Sequence, residues 1–229
     1  MNPPGLLKTT WIVFKKDMQI EWRTRARLNA LLFFAVATLL LFYFAIGGDP
    51  GTMRKSAGGF LWLALFFSSV LSLSESFRLE TENFALEALR LAPTSPRAVF
   101  LGKAAANSLL SWVLALALVP LTVAFFDVSI KEGVPRLVLA LALGSTAIAA
   151  PGTVYSAIAT NARARDVLLP LLMFPVLIPS LIASVSSTTL ILGGDPMNQM
   201  GDWLLFLFLF NLVYWPVCFL VFPKVIEDD

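Results

Sequence analysis

The residue types that carry covalent, acid–base or metal chemistry are scarce in this chain and poorly spaced for it. Histidine is absent, and the single cysteine, Cys218, sits in an apolar run, so no intrachain disulfide forms and most metal-ligand sets are excluded. The stretch Leu101-Gly102-Lys103-Ala104 lacks both the leading glycine and the hydroxyl residue of a phosphate-binding loop, so the chain cannot hydrolyse ATP alone. A hydrolase would need a nucleophile with a base or a carboxylate pair, and the apolar segments supply neither. An ion-driven transporter would place Asp, Glu or His deep within such a segment, and none is there. Two groupings remain. Glu80, Glu82 and Glu87 alternate with Phe84, Leu86, Leu89 and Leu91 in residues 77–97, and Pro170, Pro175 and Pro179 interrupt one long apolar run. The first can bind a partner surface; the second can bend or break a helix.

The elements that hold these groups are membrane spans. Of 229 residues, 58% are hydrophobic and 14% charged, against roughly a quarter charged in soluble domains. The charges fall between long apolar runs, so the hydrophobicity belongs to discrete segments. A bilayer core of about 30 Å needs about 20 helical residues, and six segments qualify: 28–47, 58–77, 100–126, 136–159, 167–187 and 203–223. The first is too long for a signal-peptide core and is followed by further spans, so it is retained. On this assignment thirteen Lys and Arg lie on one side and four (Arg54, Lys55, Lys131, Arg136) on the other, which puts both termini in the cytoplasm. The net charge of +2 hides this asymmetry and gives no reason to expect nucleic acid. Trp62, Trp203 and Trp215 lie near span ends, where indoles anchor at the interface.

Before the first span, Leu7, Trp11, Phe14, Met18 and Trp22 recur every three or four residues and make an apolar stripe flanked by Lys8, Lys15, Lys16 and Arg23. Residues 1–27 are therefore expected to form an amphipathic helix on the cytoplasmic membrane surface. Topology anchor and docking site for a partner stand level as readings of it. The loop at 78–98 starts with helix formers and stops at Pro93, giving a short helix that is acidic where bases are expected. A solvated connector is its plain alternative.

Glu75 and Arg78 can pair across one turn near the end of the second span. Asn107 and Asn211 suit interhelical hydrogen bonds better than substrate binding. The fourth span, with small residues over 140–153, belongs inside the bundle. In the fifth, Pro175 and Pro179 free the carbonyls of Leu171 and Pro175 on one side, so the helix should be interrupted between Leu169 and Pro179. Such a break marks a mobile element or a static kink satisfied by neighbours. After it, Gly193-Gly194-Asp195-Pro196 opens an external stretch of about 15 residues, with room for a re-entrant segment at 187–202.

Three stretches together resemble the CcmB family, the haem exporter permease subunit of bacterial cytochrome c maturation. They are Lys16-Asp17 through Glu21-Trp22-Arg23, Leu61-Trp62 through Leu101-Gly102-Lys103, and Arg163-Ala164-Arg165-Asp166 through Pro170 to Pro175 and Pro179. Within the second, Ser76-Phe77, Glu80, Glu82, Leu86-Glu87, Leu91 and Pro93 resemble the family's loop between spans two and three. The resemblance implies an all-α, polytopic, six-span single permease domain of ABC-2-type exporter architecture in the bacterial inner membrane. It further implies a separate cytoplasmic ABC ATPase, a haem-handling membrane subunit, a small membrane helper, a haem chaperone as client and a second copy of the chain as partners. ATP would bind the partner, and haem would be a substrate and not a resident cofactor. With no histidine, the soft candidates for axial ligation reduce to Met173, Met197, Met200 and Cys218. Residues 78–92 are then the element the ATPase grips, with Glu80, Glu82, Phe84, Glu87 and Leu89 as contacts. A scaffold without a translocation path is the alternative the same segments support.

Overall fold

The computed structural model describes residues 5–46, 49–82, 95–159 and 165–227, which form seven helices and no strand. They are α1 (Leu6–Thr24), α2 (Ala26–Ala45), α3 (Pro50–Glu82), α4 (Pro96–Phe126), α5 (Val134–Ala159), α6 (Arg165–Gly193) and α7 (Met200–Glu227). Helices α2 to α7 are each long and apolar enough to cross a membrane, which agrees with the six expected spans. Both described ends of the chain lie at one end of the bundle, called here the basic end.

Helix limits follow from local chemistry. At the opposite end Asp49 caps α3 by accepting from the Gly51 and Thr52 N–H groups at 3.3 and 3.1 Å. Asp195 caps α7 in the same way, accepting from Gln199 and Met200 N–H at 2.9 and 2.7 Å. Pro96 starts α4, where a missing N–H costs nothing. Arg25, at φ 45°, turns the chain from α1 into α2 while its N–H still reaches Glu21 O.

The most enclosed spans are α3 and α5, with α2 and α7 at the periphery. The small residues of α5 do place it inside, as expected. Gly144 of α5 has no room for a Cβ because the Trp62 ring occupies that space, and Gly152 is closed off likewise by Leu73. Trp62 is therefore not an interfacial anchor: it is 1% exposed and donates its indole N–H to Thr188 Oγ1 on α6 at 2.9 Å. The expectation failed because α3 begins at Pro50, eight residues before the expected span start, which carries Trp62 two turns deeper. Trp215 is half-buried, with its N–H shared between Thr146 O and Asn211 Oδ1.

The external stretch after α6 is also corrected. Helix α6 continues to Gly193 and α7 begins at Met200, so there is no re-entrant segment at 187–202. Thr188, Ile191 and Leu192 are buried and extend the helical face of α6 into the bundle, which keeps the chain helical past residue 187. The short connector turns on Gly194 (φ 96°) and is held by the α4–α5 connector. Lys131 and Glu132 N–H donate to Ile191 O at 3.0 and 3.2 Å, and Lys131 Nζ donates to Gly193 O at 2.8 Å. Arg54 pairs with Asp127 and Arg136 with Glu132, so three of the four bases at this end are engaged by the protein.

Candidate functional site: a charge cluster at the basic end

Helix α1 has a face the apolar stripe does not disclose. At 100° per residue, Thr9, Val13, Asp17 and Glu21 fall in one line at four-residue spacing, and Thr9, Val13 and Glu21 are buried. This line packs on the start of α4. Gly102 makes the approach feasible: a Cβ there would stand 2.7 Å from Val13 Cβ and 2.8 Å from Thr10 O. The Gly102-Lys103 pair thus seats a helix, in place of any phosphate.

Lys103 follows directly and is 1% exposed. Its ammonium lies 3.4 Å from Asp17 Oδ2 and donates to Ser76 O on α3 at 3.3 Å. One turn further along α1, Glu21 Oε2 meets Arg27 Nη1 at 3.1 Å. Arg27 Nη2 donates to Ser72 O and Ser72 Oγ at 2.6 and 2.7 Å. Glu75 adds a further negative charge near Arg27. The expected Glu75–Arg78 pairing falls outside the described side chains.

The donors converge on one target. Backbone carbonyls of Ser72, Leu73 and Ser76 accept from Arg27 of α2, Ser156 of α5 and Lys103 of α4 respectively. Each carbonyl has a second lone pair left over from the helix ladder, which makes this compatible with an intact α3. Three neighbours thereby clamp the last turns of α3 before it leaves the bundle. The clamp is incompletely satisfied, since Glu21 Oε1 and Arg27 Nε make no hydrogen bond among the described residues. Burial pushes the Glu21 carboxyl above the ordinary carboxylate range; Arg27 opposes this, Asp17 adds to it, and the Leu28 N–H lowers it. Fixed charges of this kind hold helices in register and offer no nucleophile.

Of the residues expected to carry function, Glu80 and Glu82 lie on the last turn of α3, one to two turns past Ser76. Their side chains lie outside the described residues, as do Phe84, Glu87 and Leu89 entirely. The short helix expected after residue 77 is, as far as Glu82, the continuation of α3 itself.

The break expected at Pro170, Pro175 and Pro179 does not occur: α6 is one helix from Arg165 to Gly193 with all three prolines inside it. The reason is packing. Met173, Leu177, Ser180 and Ser184 are buried along one face, with Met173 against Gly152, while Pro175 and Pro179 lie on the exposed face. At Pro175 and Pro179 the ladder is weakened where no neighbour packs, and the packed face holds the helix together. The soft ligand candidates are not gathered. Met173 and Cys218 are buried on α6 and α7, whereas Met197 and Met200 lie at the opposite end, the first exposed and the second buried.

Asn107 donates to Thr153 Oγ1 at 3.3 Å and Asn211 to Leu143 O at 3.0 Å, both interhelical as expected. The cluster itself was missed from sequence. Its signal was that Asp17 and Glu21, one turn apart, are the only acids of α1 and lie off its apolar stripe.

The stretches that meet here, α1 around Asp17 to Arg23, the end of α3 and the start of α4, also carry the family resemblance. A family model described as CcmB protein matches residues 8–226. The chain belongs to the CcmB family. This match takes in the whole CcmB region from Lys8 on α1 to Ile226 on α7, and so includes every residue of the cluster. Its relatives include Heme exporter protein B of Haemophilus influenzae, 30% identical over 174 residues, covering 76% of this chain and 78% of the relative. Heme exporter protein B of Paracoccus denitrificans is 28% identical, covering 81% of this chain and 85% of its own length. That of Pseudomonas aeruginosa is 28% identical, covering 84% and 86%.

Proposed function

We propose that the chain is the membrane permease subunit of an ATP-driven haem exporter serving cytochrome c maturation, in the bacterial inner membrane with the basic end in the cytoplasm. A separate ATPase supplies the energy, and haem, or the haem-loaded chaperone it must release, is what the complex moves. No resident cofactor is needed by this chain. A haem-handling membrane subunit, a small membrane helper and a second copy of the chain complete the assembly.

The observation that carries this reading is the length and anchoring of α3. Its 33 residues span about 50 Å at 1.5 Å per residue, well beyond the hydrocarbon core of about 30 Å. The helix therefore runs without a joint from the far end of the bundle, past the charge clamp, to Glu80 and Glu82. A push on residues 78–92 becomes a tilt of α3, and the three donors at Ser72, Leu73 and Ser76 pass that tilt to α2, α4 and α5. The exposed prolines of α6 supply compliance, because a span lacking ladder bonds on one face bends more easily than its neighbours. Membership of the family and the names of its relatives support haem as cargo.

Complementation tests the function. In a bacterium lacking its own haem exporter protein B but supplied with the cognate partner subunits, the chain should restore covalent haem in c-type cytochromes. Restoration should vanish when the partner ATPase loses the lysine of its phosphate-binding loop. Full maturation with the hydrolysis-dead ATPase would make the chain a scaffold and overturn the permease reading.

A further inference from the structure

We propose that the outer face of α1 is a binding site for the headgroup of an anionic phospholipid. The first observation is charge segregation. Both acids of α1 are engaged, Glu21 by Arg27 and Asp17 by the buried Lys103 and, through its other oxygen, by Lys16 at 3.3 Å. The outward side then carries Lys15 and Arg23, which form no ion pair among the described residues, with Gln19 between them at four-residue spacing. No carboxylate of α1 is left to neutralise that row.

The second observation is shape. An open groove of about 540 Å3 runs along α1, with Lys15, Gln19 and Arg23 on one rim and Trp11, Met18 and Trp22 on the other. Trp11 is 63% exposed and Trp22 73%, yet both are large apolar rings. A free phosphate has no use for an indole wall, and a zwitterionic headgroup brings its own cation to a site that already holds two. A phosphodiester with a net negative charge and attached acyl chains satisfies both rims at once.

The third observation is depth. Val13 packs on Gly102, six residues into α4 from Pro96, or about 9 Å along the helix. The 31 residues of α4 extend about 46 Å, so roughly 8 Å at each end stands outside a hydrocarbon core of about 30 Å. Helix α1 therefore lies at the boundary between acyl chains and headgroups, where lipid phosphates are concentrated and an acidic soluble partner is not. The site requires only the described geometry of α1 and is independent of what the complex exports.

Titration of the detergent-solubilised full chain with phosphatidylglycerol, phosphatidylcholine or inorganic phosphate, followed by thermal unfolding, tests the proposal. Phosphatidylglycerol should raise the midpoint saturably, and the other two should not. The Lys15→Gln/Arg23→Gln variant should weaken the apparent affinity for phosphatidylglycerol by roughly tenfold or more. Lys15→Arg/Arg23→Lys should retain it, and Lys131→Gln at the far end should have no effect. Since both residues are exposed, the variants should fold, and quenching of tryptophan fluorescence by brominated phosphatidylglycerol gives a second reading of occupancy. An unchanged response in the double Gln variant would overturn the site, as would equal stabilisation by phosphatidylcholine or by inorganic phosphate. Loss of the ATPase from membranes with phosphatidylglycerol affinity intact would make the face a protein dock and would overturn it too.

Discussion

Val13 of α1 rests on Gly102 of α4 so closely that a methyl group on the glycine would stand 2.7 Å from the valine Cβ. Its other close neighbour, Thr10 O at 2.8 Å, is backbone and cannot rotate away. Gly102→Ala should therefore lift α1 from the bundle and cost about 1–3 kcal/mol, read as a lower thermal midpoint and faster proteolysis of α1. Gly201→Ala, where nothing lies within 4 Å of the added group, should be neutral or slightly stabilising, because it sits inside a helix. Equal behaviour of the two variants would remove the close approach from the account.

The Asp17–Lys103 pair should respond asymmetrically. Lys103 is 1% exposed at its side chain and Asp17 17%. Asp17→Asn leaves a buried ammonium without this counter-charge and should destabilise by about 2 kcal/mol, below the usual range for a fully buried pair because Ser76 O still accepts from the lysine. Lys103→Met keeps the volume and leaves Asp17 able to reach water, so its cost should be smaller. Denaturation midpoints of the two variants decide it, and a larger loss for Lys103→Met would contradict the burial argument.

The Glu21 carboxyl gives a pH signature. Its folded pKa is raised above the ordinary value of 4.5, so between 4.5 and the raised value the folded state holds more protons than the unfolded chain. Its contribution to stability is fully present below 4.5 and is lost as pH rises through the folded pKa. Glu21→Gln should remove this component, so the stability difference, wild type minus variant, should fall as pH rises from 4.5 towards neutrality. A difference that rises with pH would mean that Arg27 outweighs burial.

How much of this was legible in the sequence depends on scale. The six spans and the stripe of α1 follow from hydropathy over about 20 residues, a signal strong enough to survive errors at the ends. The ends themselves were misplaced, and the consequence is plain at Trp62. With α3 begun at residue 58 the indole lies at an interface; with the Asp49 cap and Pro50 start it lies in the core. The inward face of α1 escaped because Thr9, Val13, Asp17 and Glu21 share a direction but no chemical type. Lys103 reads as a topology charge, since nothing local to it reveals that Asp17 and Ser76 surround it. The prolines of α6 imply a break because proline chemistry is local, whereas the packing of Met173, Leu177 and Ser184 that keeps the helix whole is not.

Trp62 and Thr188 provide a test of the core. Trp62→Phe removes an indole donor and leaves Thr188 Oγ1 without it, with an expected cost of about 1–2 kcal/mol. Gly144→Ala collides with the same ring and should destabilise more, but should be partly rescued by Trp62→Leu, giving a favourable coupling in a double-mutant cycle. Additive effects would mean that the two residues do not meet.

In the α6 span, Pro175→Ala with Pro179→Ala restores two N–H donors on a helix that is already continuous. The variant should be at least as stable as the wild type and should assemble normally, but should mature c-type cytochromes more slowly. Normal maturation, measured by haem staining, would leave the prolines as static bends only.

In the proposed mechanism force enters through the end of α3. Glu82→Lys with Glu87→Lys reverses two charges on the segment proposed to hold the ATPase, without touching the clamp at Ser72 and Ser76. The chain should insert normally while the ATPase moves from the membrane to the soluble fraction, a loss of roughly 2 kcal/mol or more if the charges are desolvated at the interface. Fractionation at physiological salt reads this directly. Wild-type amounts of ATPase on membranes bearing the double variant would contradict the account.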